Sequence, residues 1–105
     1  MNLAELQKLH DAQLATIAID WSGKQARLRI RHGWPSTWSE LTLSGLRSIS
    51  VTALDEWGPS VHIHRISLEP ADPATRILVE MQSGDVINIV ACSVELLPVE
   101  SESRS

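Results

Sequence analysis

Apolar and polar residues alternate along most of this chain. The clearest alternation runs from 26 to 31, where each apolar residue is followed by one of three arginines, Arg27, Arg29 and Arg31. A period of two is typical of a β-strand that buries one face. A similar alternation precedes it, from 13 to 21, and Ser22-Gly23 between the two stretches is a tight-turn signal. The pattern therefore predicts a β-hairpin.

The register of this hairpin follows from the same pattern. Pairing across Ser22-Gly23 places apolar residues opposite one another: Ile19 with Ala26, Ile17 with Leu28, and Ala15 with Ile30. A shift by one residue would move the arginines to the buried face, so the register is strongly specified. The arginines then share the outer face with Ala18, Thr16 and Leu14.

Further strands are expected in the middle of the chain. A third strand is predicted over 38–43 and a fourth over 47–53, joined at Ser44-Gly45. A two-residue turn there would mix the faces, whereas a three-residue connection or a bulge at Gly45 would pair Leu41 with Ile49, and we favour the odd-length connection. The loop that follows, Asp55 to Ser60, contains two strong breakers, Gly58 and Pro59.

The second half of the chain predicts one more hairpin. A strand over 61–68 changes face, which indicates a bulge near His64 or a strand end there, and a turn is expected over 69–73. Strands over 76–82 and 85–96 would pair across Ser83-Gly84, with Met81 opposite Val86. Both faces of this hairpin are largely apolar, so we expect it to be central and covered on both sides.

The N-terminus predicts a short helix. Leu3, Leu6 and Leu9 share one helical face, and Asn2 is a suitable cap. The predicted fold is therefore mainly β: an antiparallel meander of about six to seven strands, forming a sandwich or half-open barrel with one short N-terminal helix. We expect one domain over 1–97 and a disordered polar tail over 98–105.

Composition narrows the class of protein. The chain has 105 residues, so one domain is expected, and no apolar stretch is long enough for a membrane helix. A net charge of −4 argues against nucleic-acid binding. The absence of a secretory leader pattern predicts a cytoplasmic protein. Dimerisation is compatible with this size but not required.

Catalytic motifs are missing from the sequence. It contains no nucleophile elbow, phosphate loop or paired-carboxylate motif. Cys92, the single cysteine, is predicted to be a small core residue, because nothing in the sequence supplies the base that a catalytic thiol needs. The chain is therefore interpreted as a non-enzyme without a cofactor.

The histidines offer a weak metal hypothesis. His62 and His64 lie two residues apart on one predicted strand, a spacing that can bind zinc or copper. A closed zinc site needs about four ligands, so two histidines on a solvated face are the favoured interpretation. His10-Asp11 is expected to hydrogen-bond the backbone where the helix meets the first strand.

Two features could bind a protein partner. The stretch Trp57-Gly58-Pro59-Ser60 holds a tryptophan on a stiff backbone, as in interface hot spots, although Trp57 could equally fold inward. The stripe Arg27, Arg29 and Arg31 could receive an acidic protein surface, or could simply be a solvated strand face.

Several segments together resemble a known family. They are Leu9-His10-Asp11-Ala12, Ile19-Asp20-Trp21, the stretch from Glu56 to Val61, and the stretch from Glu80 to Ile87. They resemble a family of small, mostly uncharacterised bacterial β-rich proteins that are similar to immunity proteins of polymorphic toxin systems. The resemblance implies a β-rich fold and a toxin-binding role, and it brings no catalytic residues.

Three hypotheses remain open at this stage. The first is a non-enzymatic protein-binding domain, an immunity-type inhibitor of a toxin. The second is a small-ligand or metal-binding β module that uses His62 and His64. The third is a homo-oligomeric structural protein that associates through a sheet edge.

Overall fold

The structure, a computed structural model, describes residues 6–33 and 37–99 and consists of six antiparallel strands in one sheet. The strands are β1 (Gln13–Asp20), β2 (Gln25–His32), β3 (Thr37–Val51), β4 (Ile63–Ala71), β5 (Ala74–Met81) and β6 (Val86–Val99). This architecture confirms the mainly β, antiparallel prediction.

The order of the strands across the sheet is β1-β2-β3-β6-β5-β4. It consists of two three-stranded meanders, β1-β2-β3 and β4-β5-β6, and the connection 52–62 joins them. The predicted meander is therefore correct within each half and is interrupted once, because this connection carries the chain from the centre of the sheet to its far edge.

The sheet curls until its two edge strands meet at one corner. The Leu14 N–H donates to the Val61 carbonyl and the Ile63 N–H donates to the Ala12 carbonyl, both at 2.8 Å. A bridge between Gln13 and His62 lies in the same corner. The hydrophobic core fills the concave side of the curled sheet.

Buried apolar residues of β2 to β6 and of the N-terminal segment form this core, and Leu14 and Ile17 of β1 pack against it partly buried. The core residues with no exposed surface are Leu6, Leu9, Ala26, Leu28, Ile30, Leu41, Leu43, Ile63, Ile77, Val79, Ile89 and Ala91. Every second residue of a strand points to the concave side, so the apolar residues of the predicted alternation are the ones that are buried.

The predicted N-terminal helix is not confirmed. Leu6 and Gln7 are helical and a turn follows, in which the Leu9 N–H donates to the Leu6 carbonyl at 3.0 Å. Residues 2–5 of the predicted helix, including the cap Asn2, lie outside the described residues. A single turn is enough to direct Leu6 and Leu9 into the core, since their spacing is close to one helical repeat.

The first hairpin has the predicted register over most of its length. Ile19 is opposite Ala26 and Ile17 is opposite Leu28, across a four-residue loop, 21–24. The predicted pair of Ala15 with Ile30 is wrong, because a bulge at Ala15 places Leu14 opposite Ile30 instead. The bulge coincides with the point where β1 leaves the corner contact with 61–63.

The turn predicted at Ser44-Gly45 is wrong. β3 continues through it as one strand of 15 residues. Gly45 has φ of 64°, and a Cβ there would lie 2.7 Å from Cys92 Cβ on β6. Glycine is therefore used for a close approach between the two central strands while the buried face changes from Leu43 to Leu46.

The second hairpin forms with a register one residue from the prediction. Val79 is opposite Ile87 and Ile77 is opposite Ile89. The Met81 N–H donates to the Asp85 carbonyl at 2.8 Å, which leaves a three-residue loop ending at Gly84, whose φ is 93°. Such loops with a left-handed glycine are common in hairpins, and this one places buried residues opposite one another.

Two further expectations concern strand faces and ends. The bulge expected near His64 is confirmed by a register shift between Ile63 and Arg65. The hairpin β5-β6 is not buried on both faces, because Leu78 and Val90 on its outer face are only half-buried.

β6 continues to Val99, past the domain end expected at 97, and residues 100–105 lie outside the described residues.

Candidate functional site

A loop between β3 and β4 is held to the sheet by one buried carboxylate, Asp85. Asp85 Oδ1 accepts hydrogen bonds from the Leu54 N–H at 2.7 Å and the Thr52 hydroxyl at 2.8 Å. Asp85 Oδ2 accepts from the Asp55 N–H at 3.0 Å and the Ser83 hydroxyl at 2.9 Å. Three of the four donors belong to the loop and the fourth, Ser83, to the β5–β6 turn, so the carboxylate fixes the loop at its first turn.

These hydrogen bonds stabilise the charged form of the carboxylate. The Leu54 N–H has the largest effect and, with Thr52, Asp55 and Ser83, it lowers the pKa of Asp85 to about 2, against the opposing effect of burial. Asp85 is therefore ionised at neutral pH, and its charge is matched by the oriented donors of the loop.

The loop presents two large apolar side chains to solvent. Leu54 is 78% exposed and Trp57 is 75% exposed. The Trp57 N–H donates to the Ser83 carbonyl at 2.9 Å, and the Trp57 ring passes close to Gly84, where a Cβ would lie 3.1 Å from it. The inward position considered for Trp57 is therefore wrong, because its backbone is tied to the Ser83-Gly84 turn outside the core.

The other three residues of the Trp57-Gly58-Pro59-Ser60 motif determine the course of the loop backbone. The Gly58 N–H donates to the Asp55 carbonyl at 2.9 Å, and Gly58 has φ of 98° with nothing within 4 Å of a Cβ. Pro59 is exposed, and the Ser60 hydroxyl accepts from the His62 N–H at 3.2 Å. We use the name loop patch for residues 54–57, in which Asp55 and Glu56 lie between the two apolar side chains.

A shallow cleft lies behind the loop patch. Its volume is about 180 Å³, and its walls include Ile17 of β1 together with Val51 and Val61 at the two ends of the connection. Val51 and Val61 are both about half exposed. The loop patch therefore stands beside further apolar surface at the open side of the curled sheet.

The arginine stripe lies on the outer face of β2, as predicted, but its members interact within their own sheet. Arg27 lies 4.0 Å from Glu40 and donates to Gln25 at 2.8 Å. The guanidinium carbons of Arg29 and Arg31 lie 5.8 and 5.7 Å from the centre of the Trp38 ring. These contacts favour the solvated-face interpretation over a binding role.

The two histidines of the metal hypothesis are both exposed, on either side of buried Ile63. The His64 ring lies 5.9 Å from the His10 ring, edge to face. A His10 ring nitrogen contacts the His64 carbonyl, the backbone role expected for His10. Among residues 6–33 and 37–99, no three metal-ligating side chains form a cluster.

A second concave surface was missed by the sequence analysis. A groove of about 690 Å³ lies between the first hairpin loop and the central strands, and its walls include Trp21, Lys24, Leu46 and Cys92. The Lys24 amine lies 3.8 Å from the centre of the Trp21 ring. This groove forms because β3 continues through Gly45. The sequence did not predict it, since a turn was expected at Ser44-Gly45.

Cys92 lies in this groove and is an exposed free thiol. The prediction that it is a core residue is therefore wrong. The odd-numbered residues of β6 are buried up to Ala91, whereas Val94 and Leu96 pack against the core beyond it. Cys92 is exposed because it lies where the strand changes face.

Comparisons with known proteins address the fold. No family model and no curated protein match the chain. A crystal structure of an uncharacterized protein from Neisseria gonorrhoeae is similar, with a TM-score of 0.66 and 16% sequence identity over 86% of this chain and 93% of that one. At this identity the likeness shows a shared fold. In the part of the chain that the structure describes, no helix is long and apolar enough to cross a membrane.

Proposed function

We propose that this chain is a non-enzymatic protein-binding domain that takes a basic protein partner through the loop patch. The observation that carries the proposal is the pair of exposed apolar side chains, Leu54 and Trp57, on a backbone fixed by Asp85. A preordered loop loses little conformational entropy on binding, and tryptophan is enriched among hot-spot residues.

The charge of the loop patch indicates the kind of partner. Asp55 and Glu56 are exposed beside Trp57, and the whole chain carries a net charge of −4. A basic protein surface with an apolar pocket would be attracted to this patch and could then bury Trp57. The resemblance to immunity proteins supports a toxin as that partner, met in the cytoplasm of a bacterium.

The experiment is a binding titration against the purified products of the genes encoded beside this one. We expect one of them to form a complex of equal stoichiometry. Replacing Trp57→Ala should weaken that complex about thirtyfold, which corresponds to about 2 kcal/mol. Leu54→Ala should also weaken the complex.

Trp21→Ala is the matched control, because Trp21 is also 75% exposed but lies at the first hairpin loop. It should leave the affinity unchanged. Equal losses from Trp57→Ala and Trp21→Ala would contradict a site at the loop patch. Absence of binding to every neighbouring gene product would contradict the immunity-type role.

A further inference from the structure

The two edges of the sheet differ in how they are protected. β4, at one edge, carries Arg65, Glu69 and Pro70, and it has a bulge at His64. Charged side chains, proline and bulges on an edge strand hinder the addition of another strand. The β4 edge therefore has the devices that keep a sheet from extending.

β1, at the other edge, carries neither a charge nor a proline over 15–19, and its one bulge lies at Ala15, at the corner end of this stretch. The stretch reads Ala-Thr-Ile-Ala-Ile. Within the described residues, β1 pairs with β2 on one side, and its outer side is bonded only up to Leu14, at the corner with Val61. Alternate backbone N–H and C=O groups of 15–19 therefore point away from the sheet, ready to pair with another strand.

We propose that β1 pairs antiparallel with β1 of a second copy of this chain, with Ile17 at the two-fold axis. This inference goes beyond the proposed function and does not depend on it. In this register Ala15 is opposite Ile19 of the second copy and Thr16 is opposite Ala18 of the second copy. The two curled sheets would then form one continuous sheet.

The second copy is favoured over a foreign strand because the edge is complementary to itself. On one face Ala15 is opposite Ile19 and Ile17 is opposite its own copy, and on the other face two small neutral side chains meet, so no two charges face each other. Ile19, which is 49% exposed, would be covered in this arrangement. A charged foreign strand would find no partner for its charges along 15–19.

The length of the free edge sets the strength of the dimer. Five residues per copy form a ladder of roughly 17 Å, at 3.4 Å per residue. Each copy therefore contributes fewer residues than the roughly 20–30 that form one side of a standard protein–protein interface. We therefore expect a dimer that dissociates on dilution. Sedimentation of the wild-type chain should shift from 11.6 kDa toward twice that mass as the concentration rises to about 1 mM.

The double substitution Thr16→Glu and Ala18→Glu tests the register. Within one copy, Thr16 is opposite Arg29 and Ala18 is opposite Arg27, so the introduced carboxylates face arginines and the fold is retained. Across the two-fold axis, the same carboxylates face one another. We expect the dimer to weaken at least about tenfold, while circular dichroism and Tm show a folded protein.

Two companion proteins make the test specific. Ser50→Glu with Ser93→Glu adds the same charge at exposed positions of the central strands and should dimerise like the wild type. Mixing the Thr16→Glu, Ala18→Glu protein with a Thr16→Lys, Ala18→Lys protein should give a tighter dimer than either protein forms alone. A wild-type chain that stays monomeric to about 1 mM, or a dimer that the glutamates do not weaken, would overturn the proposal.

Discussion

The Leu54 N–H donates a 2.7 Å hydrogen bond to the carboxylate of Asp85, which is 31 residues away in the sequence. This bond joins the loop patch to the hairpin turn between β5 and β6. Three other donors, from Thr52, Asp55 and Ser83, complete the set. The conformation that exposes Leu54 and Trp57 is therefore held by a side chain outside the loop.

Replacing Asp85→Asn should release the loop patch. The amide nitrogen of asparagine would face the N–H and O–H donors that now share one carboxylate oxygen, so at least one of them loses its acceptor. We expect faster hydrogen exchange at the Leu54 and Asp55 amides, a lower Tm, and weaker binding of the partner. Hydrogen exchange measured by NMR checks the first of these.

Asp55→Asn is the matched control for this substitution. It also removes one negative charge, here from the loop itself, and Asp55 has φ of 49°, a conformation that asparagine tolerates well. Its exchange rates and Tm should stay close to those of the wild type. Equal effects from both substitutions would show that charge alone matters and would refute the anchoring role of Asp85.

Acid should destabilise the protein through the same carboxylate. The pKa of Asp85 is lowered from 3.8 to about 2 in the folded state, so the unfolded chain binds the proton more tightly. The stabilisation is therefore fully present above about pH 4 and is lost as the pH falls toward 2. Urea unfolding at several pH values should show this loss in the wild type.

The Asp85→Asn protein should lose less stability over the same pH range, because it lacks the titrating group. The pKa values of Asp20 and Glu80 are also lowered, by the Gly23 N–H and by Arg65 respectively, so some dependence on pH remains. Identical slopes for the two proteins between pH 4 and 2 would contradict the assignment to Asp85.

The register of the first hairpin was predicted well because its apolar and polar pattern allows only one register. Alternating arginines forbid any register that buries them, and the pairs Ile17 with Leu28 and Ile19 with Ala26 follow directly. The same reasoning failed at Gly45. A glycine at a turn and a glycine at a close strand contact leave the same signal in a sequence, since both exploit the missing Cβ.

The candidate site was predicted only in part. The Trp57-Gly58-Pro59-Ser60 motif correctly marked a loop, but its position against Gly84 depends on a contact distant in sequence. Asp85 was missed entirely, because an aspartate after Ser-Gly is also typical of an ordinary turn. Local patterns could not show that its carboxylate accepts hydrogen bonds from a loop 30 residues earlier.

Leu28→Ala tests the position of the core. Leu28 has no exposed surface and lies in the middle of β2. Its truncation should lower the free energy of unfolding by about 3 kcal/mol, since transfer and cavity costs add. Leu97→Ala makes the same change at a side chain that is 48% exposed and should cost less than about 1 kcal/mol. Urea unfolding of both variants checks the difference, and equal costs would contradict the placement of Leu28.

Gly45→Ala tests the close contact between the two central strands. The substitution places a methyl group at φ of 64° and 2.7 Å from Cys92 Cβ, so the strands must separate. We expect the free energy of unfolding to fall by about 2 kcal/mol or more, in a urea titration, because the left-handed backbone alone costs about 1–2 kcal/mol for a residue with a Cβ.

Gly58→Ala separates the two contributions of Gly45→Ala. Gly58 also has a positive φ, but nothing lies within 4 Å of a Cβ there, so only the backbone cost applies. The loss of stability should therefore be smaller for Gly58→Ala than for Gly45→Ala. If the two losses are equal, β6 does not lie against β3 at Gly45. That outcome would mean that the chain turns at Ser44-Gly45 after all, since a turn would leave the added methyl group in open space.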